Sequence, residues 1–373
     1  APQNASRVQA MHVQKSIALA VSLGVVMLAT KRLHRRHTRL TLIVDCGSGF
    51  TRAKLLWKDL RGRVCQQHAT DQTGQKWKQE KVVQVIQAGG HSLREWATGI
   101  QQLVDATQPT EVILGATGGL REAAAEGTVS SEQVASLVNT LYELAPRSTF
   151  RVLSGDEEAQ AELIAVQYVA ESALPAEAPR PVMMLSGGGM TCQVAHYCGS
   201  EGRPAKPSFL SLVAGLNDAT SHMRHASRAQ DSLAAFRSQL AMRVTETGLR
   251  GKLGHGTCAV IEMPGGLGSA TEYGGAFREL SQRIGQRLLT KSELAAELQD
   301  HLDRWASGTP GALPDHAPSS YIATLPAELL ELLELFDDTA RLYVCRRWPS
   351  AHGELTPDWS LGLYLSSMER SLG

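Results

Sequence analysis

The chain has 373 residues, 43% of them hydrophobic and 20% charged, with Lys+Arg 37 balanced by Asp+Glu 37. That length suits two domains or one large two-lobed domain, and the composition excludes an intrinsically disordered chain. A net charge of zero gives no reason to expect nucleic acid as a partner. The six cysteines, Cys46, Cys65, Cys192, Cys198, Cys258 and Cys345, contain no CxxC pair and no zinc-ligand spacing. Disulfides and ordinary thiols both remain open.

Ser16 to Thr30 is an uncharged apolar run, with Lys15 before it and Lys31, Arg32, Arg35, Arg36 and Arg39 after it. Its length, about 15 residues, falls below the 17 or so that a membrane span needs, and also fits a signal-peptide apolar region. The expectation is a membrane anchor or signal over residues 1–39. The basic cluster after the run, and the sequon Asn4-Ala5-Ser6 before it, favour a short amino terminus outside and the main domain inside.

Beyond this segment, Leu40–Asp45 is an apolar run that ends in an acid, followed by the turn Cys46-Gly47-Ser48-Gly49-Phe50. Thr51–Trp57 then alternates, with Ala53, Leu55 and Trp57 on one face and Arg52 and Lys54 on the other. The pattern predicts a β-hairpin. Glu111–Leu114 predicts a strand that runs into Gly115-Ala116-Thr117-Gly118-Gly119-Leu120-Arg121 and a helix start. Ser130 to Gln133 has the form of a capping box, and Val134, Leu137, Val138, Leu141 and Leu144 follow at helical spacing. Thr149–Leu153 reads as a strand, and Asp156 can cap the helix that carries Glu157 and Glu158.

Ala173–Pro181 is a Pro/Ala-rich boundary. Val182–Leu185 then repeats the opening theme, with the turn Ser186-Gly187-Gly188-Gly189-Met190-Thr191 and a second strand over Gln193–Tyr197. Ser307–Ser319 reads as a loop, Leu325–Leu335 as a helix, and Trp359–Met368 as a final short helix.

Two hairpins with glycine-rich turns, about 140 residues apart, offer backbone N–H groups and small hydroxyls to phosphate. Thr117 can hydrogen-bond an attacking water, and Arg121 can balance phosphate charge. A carboxylate in the first turn of a helix and aimed into such a cleft can act as general base.

The ordered set DCGSGFT, GATGGLRE, LSGDEEA and LSGGGMT resembles the motif regions of the apyrase, ectonucleotidase and guanosine-diphosphatase family. Pro207-Ser208-Phe209-Leu210 with Gly215, and Asp358-Trp359-Ser360-Leu361-Gly362, are similar to two further segments of that family. The likeness spans about residues 40–366. The first four motifs fit the exopolyphosphatase and guanosine-pentaphosphate phosphatase family equally well; the Trp359 motif favours the nucleoside phosphatases. The resemblance implies an α/β fold of two ribonuclease-H-like lobes, of the actin/hexokinase type, with a cleft between them. The lobes would span 40–180 and 181–354, with a terminal helix over 355–373 packed back on the first.

The same resemblance implies hydrolysis of nucleoside tri- or diphosphates with Mg or Ca. Glu158 would be the base, with Glu157 the second choice, and Thr117 and Arg121 would assist. Asp45 would hold metal-bound water. Gly47, Ser48, Gly49, Gly187, Gly188, Gly189 and Thr191 would hold phosphate. Leu185 stands where the family has an aspartate, Met190 where it has a serine, and Gln193 lies one position late. Those departures keep a nucleotide-binding pseudoenzyme among the alternatives.

Overall fold

The computed structural model describes residues 39–173, 181–187, 192–198, 206–212, 229–254, 258–262, 280, 283–285, 287–307, 319–345, 348–350 and 353–370. Two large mixed sheets organise them. In the first, β1 (Thr41–Cys46), β2 (Thr51–Lys58) and β3 (Val64–His68) form an antiparallel meander, and β5 (Glu111–Ala116) and β6 (Ser148–Val152) continue parallel to β1. The strand order is β3-β2-β1-β5-β6, with the two-residue β4 (Lys78–Gln79) on the far side of β2.

The second sheet repeats this plan. β7 (Pro181–Gly187), β8 (Cys192–Cys198) and β9 (Lys206–Leu212) form the meander. β10 (Cys258–Glu262) and β12 (Arg341–Cys345) extend it in parallel, and β11 (Leu288–Thr290) closes the edge antiparallel. A short β13 (Trp348–Ser350) and β14 (Gly353–Leu355) ribbon follows. The shared order makes each sheet ribonuclease-H-like, as the motif pattern predicts.

Alternation along β1 and β5 buries both faces, as parallel strands covered on two sides require. Leu42, Val44, Val112 and Leu114 face helices α1 (Val82–Ala88), α2 (Gly90–Thr107), α3 (Gly118–Ala125) and α4 (Ser131–Leu144). Ile43 and Ile113 face the other way, onto α5 (Gly155–Ala173) and the terminal helix. The capping box at Ser130 and Gln133 forms as predicted, and Leu137 and Leu141 are buried behind it. The second sheet is backed by α6 (Ala229–Glu246), α7 (Lys291–Ala306) and α8 (Ser319–Leu332) through Phe236, Leu240, Leu294, Leu298, Leu329 and Leu332.

The terminal helix α9 (Trp359–Arg370) packs along α5 and also meets β1 and β2. α5 in turn touches β7, β8 and β9, so it lies between the two sheets. Its Ala161, Leu163, Ala165, Val166 and Val169 are all buried, which explains an apolar sequence with no single polar side.

Cys46, Cys65 and Cys192 are buried free thiols. The expected membrane association is corrected. Among the described residues no helix is long and apolar enough to cross a membrane. Ser16–Thr30 itself lies outside the described residues, and about 15 residues of helix reach only about 22 Å, short of a hydrocarbon core near 30 Å.

The tightest point of the α5–α9 packing is Gly362. A Cβ there would stand 1.7 Å from the carbonyl oxygen of Ala161, which is helix backbone and cannot swing aside. Gly362→Ala therefore forces α9 off α5 and should cost about 3 kcal/mol, at the upper end for overpacking. Urea unfolding monitors this; a loss below about 0.5 kcal/mol, the range of an ordinary surface change, would show that the contact yields.

Candidate active site

The carboxyl ends of β1, β5 and β6 lie side by side, with Asp45 opposite Gly115 and Gly115 opposite Arg151. Ligands of open α/β sheets bind at this end, where the loops leave the strands. Each predicted motif of the first sheet leaves from here. Residues 47–50 turn after β1, Thr117 opens α3 after β5, and Ser154 opens α5 after β6.

Glycine at 119 lets the first turn lie directly on the start of α3. A Cβ there would stand 2.8 Å from the Ser48 Cα and 2.9 Å from its Cβ. Gly49 borders open space, whereas Gly47 sits 3.5 Å, measured from an added Cβ, from the Asp45 Oδ1. The Asp45 carboxylate thus lies beneath the turn. Thr117 is the N-cap residue of α3, buried, and its side chain makes no capping hydrogen bond. Its hydroxyl is not consumed by the helix it begins.

The two neighbouring glutamates divide cleanly. Glu157 accepts from the Ser154 N–H at 2.9 Å while the Glu157 N–H donates to Ser154 Oγ at 3.1 Å, a reciprocal capping pair. Arg151 Nη2 donates to its other oxygen at 2.8 Å. The Ser154 N–H holds this carboxylate below its ordinary range against a smaller effect of burial. Ser154 and Glu157, rather than Asp156, cap α5, and Glu157 is committed to that task.

Glu158 is buried and points elsewhere. Its Oε2 accepts from Arg121 Nη1 at 2.9 Å and from Gln193 Nε2 at 3.3 Å. Burial raises its affinity for protons, against the pull of the Arg121 guanidinium. Arg121 also donates to the Leu153 carbonyl at 2.7 Å, and its Nη2 is buried with no partner. Gln193 belongs to β8, so one hydrogen bond crosses from the second sheet to Glu158.

The hairpin registers revise the correspondence between the two turns. Cys46 pairs with Thr51, and Gly187 pairs with Cys192, five positions apart in both. Asp45 opposite Arg52 therefore corresponds to Ser186 opposite Gln193. Counting glycines assigns the aspartate position to Leu185; the backbone register assigns it to Ser186 and brings Gln193 into line. Leu185 pairs with Val194 and Ile261, one step further back. Gly187 ends β7, while Gly188, Gly189 and Thr191 lie outside the described residues.

Two residues that pattern reading overlooks complete the site. Lys54 was expected on a solvated face, yet it is buried and ion-paired with Asp358. Asp358 also caps α9, accepting from the Ser360 and Leu361 N–H groups at 3.2 and 3.3 Å and from the Ser360 hydroxyl. Burial raises the Asp358 carboxyl, but Lys54 and the cap outweigh it, and the net shift is downward. One residue on, the Trp359 ring lies on Gly115, where a Cβ would stand 2.5 Å from the ring. The Trp-x-Leu-Gly segment is thus a packing device between β5 and α5.

Asp45 Oδ1 is sealed from solvent with no hydrogen-bond partner. Burial, then Asp358, pushes Asp45 up to about 7, against Lys54 and Arg52. An orphaned oxygen and surplus negative charge fit a nearby divalent cation. Among the described residues no three His, Cys, Asp or Glu side chains converge on one point. Asp45 thus offers one carboxylate oxygen toward such an ion.

Two ribonuclease-H-like sheets, each opening on a glycine turn and joined through α5, define a two-lobed fold of the actin/hexokinase type. No family model and no curated protein sequence matches the chain. Solved structures match it in fold. An Aquifex aeolicus member of the Ppx/GppA protein family is 13% identical with a TM-score of 0.57, and the alignment covers 90% of this chain and 99% of that one. An exopolyphosphatase from Cytophaga hutchinsonii is 13% identical with a TM-score of 0.52, covering 89% and 98%. A nucleoside triphosphate hydrolase from Neospora caninum is 12% identical with a TM-score of 0.54, covering 94% and 96%. At such identities the likeness establishes the fold.

The Lys54–Asp358 pair carries a stability prediction with a definite sign. Asp358 has a depressed folded pKa, so its contribution is present above the ordinary carboxylate range and lost as pH falls through the folded value. Lys54→Met leaves a buried carboxylate alone and should cost about 3 kcal/mol near neutrality. The gap to wild type should narrow under acid, when Asp358 is protonated in both. A gap that stays constant with pH in denaturant titrations would show that the pair is not the source.

Proposed function

We propose that the chain hydrolyses terminal phosphoanhydride bonds, and that the preferred substrate is linear polyphosphate or, as the nucleotide variant of the same reading, guanosine pentaphosphate. The observation that carries the hydrolase reading is Glu158: a buried carboxylate of raised proton affinity, oriented by Arg121 and Gln193, beside a glycine turn. The exopolyphosphatase and Ppx/GppA structures among the fold relatives support the substrate class. Nucleoside triphosphate is the second reading, favoured by the hydrolase from Neospora caninum and by the Trp359 motif. That motif's observed work is packing, so it weighs little on substrate choice.

In this reading Gly47, Ser48 and Gly49, with Gly187, Gly188, Gly189 and Thr191 from the second lobe, hold the phosphate chain. Arg121 offers its unpartnered Nη2 to a phosphate oxygen. Thr117 orients a water, and Glu158 takes its proton as the water attacks phosphorus. Asp45 would hold the water shell of a Mg ion, which when bound neutralises charge on the phosphates. The same reading takes residues 40–180 and 181–354 as the two lobes around the site.

Glu158→Gln should lower turnover at least about a hundredfold while binding persists, the scale of a positioned general base. Glu157→Gln should chiefly weaken the cap, by about 1 kcal/mol of stability. Steady-state kinetics on tripolyphosphate and on a nucleotide panel decide the assignment; a large rate loss at Glu157 and none at Glu158 would reverse it. The register argument adds a gain-of-function test. Ser186→Asp places a carboxylate at the counterpart of Asp45 and should raise Mg-dependent turnover by about tenfold, or 1.4 kcal/mol of barrier, whereas Leu185→Asp should not. The opposite ranking would return the aspartate position to Leu185.

A further inference from the structure

A row of cations leads away from Asp45 across the first sheet. Asp45 pairs with Arg52, and Arg52 pairs on its other side with Lys78. One pleat further along, Lys54 pairs with His68. Directly opposed residues share a face, so Arg52, Lys78, Lys54 and His68 lie together on the side of the sheet that carries Asp45. Lys54 is engaged by Asp358. Arg52, Lys76 and Lys78 are exposed. Neither they nor Lys81 has an ion-pair partner among the described residues.

Nearby acids do not neutralise the row. Asp71 is tied into its own turn by Thr73 and Gln75, and the Glu80 side chain joins no ion pair there. The Lys78 ammonium instead rests 3.2 Å from the ring centroid of Phe50, an exposed aromatic at the end of the 47–50 turn. His68 registers the local field: burial, then Lys54 and Lys76, hold it down to about 4.

Like charges set directly opposite on a sheet destabilise it, and such local conflicts are tolerated where function demands them. Arg52 against Lys78 is a conflict of this kind, one strand away from the phosphate turn. We infer that this face is a binding subsite for an extended polyanion, namely the phosphates of a linear polyphosphate that lie beyond the one held at the turn. The row crosses two strand spacings, roughly 10 Å, and continues to Lys76 and Lys81, so the far cations meet only phosphates beyond the first three. A nucleotide's phosphates end at a neutral ribose, and a series of cations this long exceeds what they need. The assignment rests on the phosphoanhydride reading of the neighbouring site, but its binding can be measured apart from turnover.

The experiment compares the full-length wild type with Lys76→Gln/Lys78→Gln, both exposed substitutions outside the catalytic set. Affinities for long-chain polyphosphate and for tripolyphosphate are measured by calorimetry at low and high salt. The wild type should prefer the long chain by about tenfold or more, equivalent to 1.4 kcal/mol, and the preference should shrink with salt. The double variant should bring the two affinities together while its tripolyphosphate affinity, and any tripolyphosphate turnover, stay unchanged. A wild type with no chain-length preference, or a variant that retains it, overturns the subsite and leaves the hydrolase reading intact. Single-stranded DNA of matched charge that binds as tightly overturns the polyphosphate assignment. Long-chain preference without hydrolysis of any phosphoanhydride upholds the subsite and sinks the proposed reaction instead.

Discussion

The ion pair between Lys54 and Asp358 joins residues 304 positions apart in sequence, and the geometry of the first lobe hangs on what that pair holds in place. Asp358 is at once the anion for Lys54 and the cap of α9. Once the cap is fixed, the next residues fall into position by steric necessity. Trp359 lies on Gly115, one strand end from Thr117, and Gly362 lies on Ala161, three residues beyond Glu158. A single terminal segment thereby touches β2, β5 and α5, the elements that lead to the 47–50 turn, Thr117 and Glu158. Loosening it would misplace several groups together, and positioning errors on the order of 1 Å are costly to catalysis.

Several carboxylates at this end of the first sheet face a cation. Glu158 has Arg121, Asp358 has Lys54, and Glu157 has Arg151 and a helix terminus. Asp45 keeps a sealed oxygen without a hydrogen-bond partner and is pushed toward protonation by burial and by Asp358. Asymmetry of this sort separates groups that support the fold from a group whose partner arrives from outside. Arg121 shows the complementary case, with one nitrogen bonded to Glu158 and to the Leu153 carbonyl and another left as a buried donor. An acceptor and a donor, Asp45 Oδ1 and Arg121 Nη2, thus both remain without partners at one end of the sheet.

Much of this was legible in the chain itself. Both hairpins, the strand–glycine–helix passage at Gly115–Arg121 and the terminal helix follow from alternation, turn chemistry and spacing, because these depend on local sequence. Three features did not follow, each for a physical reason. Lys54 reads as a solvated residue under strict alternation, since its burial depends on a partner from the far end of the chain. The resemblance ranks Glu158 above Glu157, but that Glu157 rather than Asp156 caps α5 follows only from the hydrogen bonds at Ser154. Motif matching places Leu185 at the family's aspartate, whereas the position that corresponds to Asp45 by backbone pairing is Ser186, and pairing cannot be read from letters alone. The apolar run before residue 39 misled for a different reason: lack of charge over a short stretch does not by itself give the length a bilayer demands.

The register also shows how two copies of one plan have diverged. At matching positions the first lobe carries Asp45 opposite Arg52 and the second Ser186 opposite Gln193. The first hairpin is therefore charged and the second is neutral. Gln193 uses its amide to reach Glu158 across the lobes, a contact that carries no net charge and so leaves the carboxylate's proton affinity to burial and Arg121. A cation at that position would have added a second positive group beside Glu158 and lowered its proton affinity. The positive charge that the second hairpin lacks is found on the outer flank of the first, along β2 and β4. At the matched hairpin positions the first lobe thus supplies charge and the second neutral hydrogen bonding.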